Sequence, residues 1–302
     1  MKGKTGLILL LCFTTVLTGC GGNSQEEKAE TESAVTEETA DAGETAGGTG
    51  NVYEDITGIA PDEIVMTIED NQIPAEMYFY WVAFNCSALE YQINLYYDYY
   101  DQFEELLTED GDIDWDASFT DEQTISEYAL SQADELAGYY AALENLANAY
   151  GVSLSEEDLA AIEADRQSME DDLGGEEAFD EYLTEMGLSL DSFMRITSAS
   201  SLLDGLIALA DDSQSSLYLP PEQYADYAPE ESEDEDSDTE SEKEEILEQY
   251  VTGLLNEYVT EHPAVKTDAI ASLDAGSFYE SYLQRMQEIA NEKAIDTLTE
   301  SE

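Results

Sequence analysis

Positive charge is what this sequence has least of. Nine Lys and Arg stand against 72 Asp and Glu in 302 residues, a net charge of −63 at neutral pH. Nucleic acid is excluded as a partner, because phosphate recognition needs clustered Lys and Arg. Anionic lipid headgroups are repelled for the same reason. The partners such a surface attracts are cationic: metal ions, basic peptides, or unfolded chains with positive segments. The charge also serves solubility and mutual repulsion on a crowded cell surface. Histidine is nearly absent. His262 alone would have to carry any His/Cys or Ser/His/Asp chemistry, and its place beside Pro263, at the end of a helical pattern, suits a surface or capping role. Cysteine occurs three times, as Cys12, Cys20 and Cys86. No cofactor is expected.

Lys2 and Lys4 precede an apolar run from Gly6 to Val16, and Leu17-Thr18-Gly19-Cys20 follows. The run has the length of a signal-peptide core and is too short to cross a bilayer, which takes about 20 apolar residues. With Leu17 and Gly19 in register before Cys20, the segment resembles the lipobox of bacterial lipoproteins. In that family the thiol is alkylated by diacylglycerol, the chain is cut before the Cys, and the new N-terminus is acylated. The resemblance implies that residues 1–19 are a signal peptide. It makes Cys20 the lipidation site and puts the protein at the cell membrane, lipid-anchored on the extracytoplasmic face in the Gram-positive manner. Losing Lys2 and Lys4 with the signal takes the net charge from −63 to −65. Cys86 is then the only thiol left, so no disulfide can form within the chain. Its aromatic surroundings (WVAFNC) suit a buried, inert side chain.

Residues 20–60 are rich in Gly, Ser, Thr and Glu and cannot bury enough apolar surface to offset ordering entropy, so an acidic disordered tether is expected. Structure is expected from about Glu63. Ile64–Ile68 reads as a short strand, Glu69–Gln72 as a turn, and Pro74 as the first turn of a helix. Met77, Trp81, Phe84, Ala88, Tyr91 and Leu95 form one helical stripe, with a second apolar stripe from Tyr78 to Phe103 beside it. A helix apolar over that much of its surface is either core or an exposed apolar groove. As groove residues the candidates are Tyr80, Trp81, Phe84, Tyr96, Tyr97 and Tyr100. The acidic loop Glu109–Asp116 lacks the Gly and the bidentate Glu of a calcium loop, at Trp115 and Asp121, which leaves only weak cation association. Helical periods continue over 121–150, ended by Gly151, and from a Ser155 cap to about Leu173, ended by Gly174-Gly175. They resume around Phe179–Met186 and again after Ser189 or Asp191. Short Gly and Ser turns between helices indicate an all-α domain over 61–211. Residues 212–243, with Pro220-Pro221 and the run EESEDEDSDTESE, read as an acidic linker. Two amphipathic helices over 244–297 need a partner surface, and the upstream domain offers one.

The stretch from Glu63 to Ala208 resembles the N-terminal chaperone domain of SurA/PrsA-type extracytoplasmic foldases. The resemblance is carried by IVMTIEDNQIPAEMYFYW, by Asp114-Trp115-Asp116 with Thr124-Ile125, and by YYAALENLANAYGVSLSEED and GGEEAFDEYLTEMGLSLDSFMR. It implies a mostly α fold with a short β segment at its start and C-terminal helices packing back on it. It also implies binding of unfolded or exported polypeptides through apolar grooves. Many relatives insert a parvulin prolyl isomerase, a domain of roughly ninety residues, before the returning C-terminal helices. Residues 212–273 offer too little room for it and a single His, so no catalytic residue of the family carries over. A lipid-anchored chaperone without isomerase activity is the leading expectation. An active peptidyl-prolyl isomerase and a surface module binding a peptide or cation are the alternatives.

Overall fold

A computed structural model describes residues 51–97, 101–228 and 239–300. Helix α1 (Val52–Thr57) starts eleven residues before the expected start of structure at Glu63. Asn51 caps it by accepting from the Tyr53 and Glu54 amides, and its own amide donates to the Gly187 carbonyl at 2.9 Å. Val52 and Tyr53 are buried, and the Tyr53 ring stacks on Tyr282 and packs against Phe79 and Phe278. The last part of the expected tether therefore belongs to the core. Its two large apolar side chains bury enough surface to hold one turn-and-a-half of helix.

Strands β1 (Ile64–Ile68) and β2 (Asn71–Pro74) form an antiparallel hairpin, with Glu69 at a positive φ of 52° in the turn. A third strand, β3 (Val265–Lys266), pairs with the other edge of β1, so the sheet order is β2-β1-β3. Helix α2 (Ala75–Tyr97) follows directly. The fold is mostly helical with this one small sheet.

Helix α3 (Ile125–Tyr150) packs along α2. Its contact face carries Ala129, Ala133, Ala137 and Ala141, all fully buried at helical spacing, which lets two helix backbones approach closely. Thr124 and Glu127 close a capping box at its start, and Gly151 ends it at φ 73°. Helix α4 (Glu156–Leu173) starts with a second capping box, Ser155 with Asp158, and packs on α5 (Glu176–Glu185). A satellite core of Phe179, Leu183 and Phe193 forms there, with Met169 of α4 packed against it. Helix α6 (Leu190–Thr197) starts at Ser189, whose hydroxyl accepts from the Ser192 amide. The buried Glu76 carboxylate, from the first turn of α2, accepts from the Ser189 amide at 2.8 Å and from both serine hydroxyls. Helix α7 (Ala199–Asp211) completes this part.

Beyond Asp211 the expected linker is corrected in two places. Leu217 and Leu219 are buried, and a 3-10 turn with no buried side chain spans Pro221–Asp226, so the start of the expected linker is anchored to the core. Helix α8 begins at Thr239 and runs to Glu261. The acidic run at 229–238 lies outside the described residues. Helix α8 packs on α3 and α7, with Ile246, Leu247, Val251 and Leu255 buried. Helix α9 (Ala275–Glu300) packs on α1, α2 and α3. Asp274 caps it, accepting from the Ser277 amide at 2.8 Å and from the Ser126 hydroxyl of α3 at 3.2 Å. Both C-terminal helices thus return to the upstream body.

The α7–α8 contact carries a pH signature. Burial first, then Glu244 and Asp158, hold the Asp204 carboxyl above its ordinary range. Burial and the nearby Glu245, Glu244 and Asp204 do the same to Glu248. A carboxyl with a raised folded pKa contributes stability below its unfolded pKa and loses it as pH rises through the folded value. Asp274 runs the other way: its cap hydrogen bonds lower its pKa, and that contribution disappears as pH falls through the lowered value. The melting temperature is therefore expected to rise as pH falls from neutrality toward the ordinary carboxyl range and to fall again at more acid pH. In a thermal pH series, Asp204→Asn with Glu248→Gln should flatten the rise. An unchanged slope in that double variant would assign the rise to overall charge repulsion alone.

Candidate functional site

Two halves of α2 have opposite environments. From Met77 to Ala83 almost every face is covered: Met77, Tyr78, Phe79, Trp81 and Val82 are fully buried. The sheet, α3 and α9 surround this half. Further along, Asn85, Cys86, Leu89 and Ile93 remain buried. Ala88 is exposed, Tyr91 is 70% exposed, Leu95 46% and Tyr96 38%. Ala88, Tyr91 and Leu95 continue the line of Met77, Trp81 and Phe84, so one helical stripe passes from core to surface along its length. Exposing a tyrosine and a leucine one turn apart removes about 1.5–3 kcal/mol of burial for each large side chain, a cost that a binding partner can recover.

The elements beside this end are acidic. Glu90, next to Tyr91, accepts from the Tyr279 hydroxyl of α9 at 2.8 Å. The 3-10 turn Asp101–Leu106 folds back on α2, placing Phe103 5.9 Å from Tyr96. The loop that follows closes through a Leu107–Ile113 bridge and stands Trp115 edge-on to Tyr279 at 5.5 Å. Its Glu109, Asp110, Asp112 and Asp116 are exposed.

Among the proposed groove residues, the structure corrects Trp81 outright. It is fully buried against Tyr140, with ring centroids 5.0 Å apart, and its Nε1 has no hydrogen-bond partner among the described residues. Hydrophobic volume placed Trp81 in the core, because its position on α2 faces α3. Tyr80 and Phe84 are half-buried. Burial, then the nearby Tyr182 and Tyr282 hydroxyls, push the ionisation of Tyr80 up. Tyr96 is on the exposed end. Tyr97 closes α2; its side chain, Tyr100 and Cys20 lie outside the described residues. Tyr91 and Leu95 complete the surface and were absent from the expected set, although their stripe is plain in the spacing.

The remaining candidates are polar or inert. Cys86 is buried, its Sγ 3.8 Å from the Ala275 carbonyl, and burial followed by Asp274 and Glu90 pushes its thiol pKa up, the opposite of an activated nucleophile. His262 packs edge-on against Tyr258, with its Nδ1 3.7 Å from Glu69. A cavity of about 400 Å3 beside the hairpin is lined by Asp70, Asn71, Glu144, Asn145, Asn148 and Ser153 among others. Among the described residues no group of three or more His, Cys, Asp or Glu side chains is placed to hold a metal ion. No family model matches this chain, and neither a curated protein nor a solved structure does.

Proposed function

We propose that this protein is a lipid-anchored extracytoplasmic chaperone of the SurA/PrsA type that holds unfolded or exported polypeptides and does not isomerise prolyl bonds. The observation that carries the reading is the Ala88–Tyr91–Leu95 stripe, an exposed apolar face on a helix whose other half is core. Holding an unfolded chain requires apolar surface of this kind and no bond chemistry. The burial of Leu217 and Leu219 supports the absence of an inserted isomerase, since α8 begins at Thr239 and leaves too few residues between them for such a domain. Membrane attachment through Cys20 follows from the lipobox resemblance.

The full chain should suppress aggregation of an unfolded test protein at equimolar ratio, with prolyl isomerisation at background. Tyr91→Ser with Leu95→Ser should weaken suppression about tenfold, since two lost apolar contacts amount to a few kcal/mol at most. The double variant should keep its melting temperature, because exposed substitutions shift stability by about 0.5 kcal/mol or less. Full suppression by the double variant would remove this surface from the function.

A further inference from the structure

We infer that the exposed end of α2 selects apolar segments flanked by Lys or Arg over equally apolar segments that are neutral or acidic. The inference rests on the chaperone reading and specifies its client. Two observations carry it. From Lys28 to Arg166 the sequence contains no Lys, Arg or His between them, so α2, the 3-10 turn and the acidic loop are without a single basic side chain. Elsewhere the described cations are all engaged within the molecule: Arg166 with Glu163 and Glu170, Arg195 with Glu144, and Lys243 with Asp211. Lys266 pairs with Asp134, Arg285 with Asp55, and Lys293 with Glu181 and Glu185. The field at Tyr91 and Leu95 is therefore set by Glu90 and the exposed acids of the loop, with no described cation left to offset it.

The stripe is one helical line wide and covers few residues. Apolar contact there is sequence-tolerant and supplies little discrimination between segments. Charge supplies it: complementary partners are steered in and like-charged ones rejected, both within a Debye length of about 10 Å at 0.1 M salt. A basic-flanked segment gains both terms. A carboxylate-flanked one meets repulsion at the same acids.

The test uses the full chain in phosphatidylcholine nanodiscs, with empty nanodiscs subtracted. Fluorescent peptides share one Leu/Phe/Tyr core flanked by Lys, Ser or Glu, and a fourth carries Lys flanks around a Gly/Ser core. Anisotropy at about 20 mM salt should show the Lys-flanked apolar peptide binding at least tenfold tighter than the Glu-flanked one. The ratio should shrink to about threefold or less near 500 mM, where the Debye length is only a few ångströms. Tyr91→Ser with Leu95→Ser should weaken every apolar peptide and leave the charge order intact. Equal binding of the Lys- and Glu-flanked peptides, still lost in the double variant, would overturn the charge selection and leave the chaperone reading standing. Binding of the Gly/Ser-core peptide as tight as the apolar one would overturn the inference as plain ion exchange. Binding insensitive to the double variant would overturn its placement on α2. No binding by any peptide, together with no suppression of aggregation, would overturn the chaperone reading itself.

Discussion

Arg195→Met is expected to lower the unfolding free energy by about 2–3 kcal/mol. Arg195 sits in the last turn of α6 and joins three elements there. Its Nε and Nη2 donate to the two oxygens of Glu144 on α3, each at 2.7 Å. Nη2 also donates to the Asn71 side chain at 2.7 Å, and Nη1 to the Gln72 carbonyl at 2.9 Å. The hairpin end, α3 and α6 are thus held by one planar fork. Removing it leaves Glu144 facing only the Asn71 amide, in a site where both side chains are about three-quarters buried (27% and 24% exposed). Breaking a fully buried pair costs about 3–5 kcal/mol, and the partial exposure here lowers that. For a domain of this size the loss corresponds to a melting shift of roughly 5–10 °C. Met keeps the stem packing, so the change isolates the fork. Arg195→Lys should recover less than half, because an ammonium cannot make the parallel pair of bonds. Urea midpoints within about 0.5 kcal/mol of the parent for Arg195→Met would show that the clamp contributes nothing net.

Cys20→Ala is expected to move the protein from the membrane to the soluble fraction almost completely. Without the thiol there is no site for diacylglycerol. One acyl chain gives a membrane binding constant on the order of 10,000 M−1, so stable attachment depends on the additional chains that lipoprotein processing adds. The rest of the molecule cannot compensate. A body with 72 acidic residues against nine basic ones is repelled by anionic headgroups. Fractionation at physiological salt, followed by a high-salt wash, reads the outcome. Persistence of the Cys20→Ala protein in the washed membrane fraction would contradict the lipobox reading.

Helix starts and stops were legible because they are local chemistry. Ser155 and Ser189 cap helices with their own hydroxyls, and Gly151 and Gly174 end them at positive φ, although the helix expected from 121 starts only after a Thr124 cap. Strand β1 was visible from its β-branched residues, but Asn71–Pro74, expected as the end of a turn and the first turn of a helix, pairs with β1 as strand β2. Where long-range packing decides, the reading went astray. Val52 and Tyr53 are two apolar residues in a polar stretch, and they are core only because α9 returns to cover them. Leu217 and Leu219 were lost in a linker for the same reason. Strand β3 is two residues long, too short for a periodic signal, and exists because β1 offers an open edge.

For the surface proposed to bind clients, the sequence contains the stripe and the charge. Spacing put Trp81, Phe84, Ala88, Tyr91 and Leu95 on one line of α2, and the shortage of Lys and Arg is a matter of counting. Periodicity cannot say where along a helix the neighbours stop. That was settled by the lengths and crossings of the partners: Met77 to Ala83 is covered on almost every face, while beyond Ala88 the Leu89–Ile93 face stays buried and Tyr91 and Leu95 are left exposed. Trp81 and Tyr91 lie on the same stripe and differ only in what the rest of the chain brings against them. Burial belongs to the whole fold, and a helix's own residues carry no record of it.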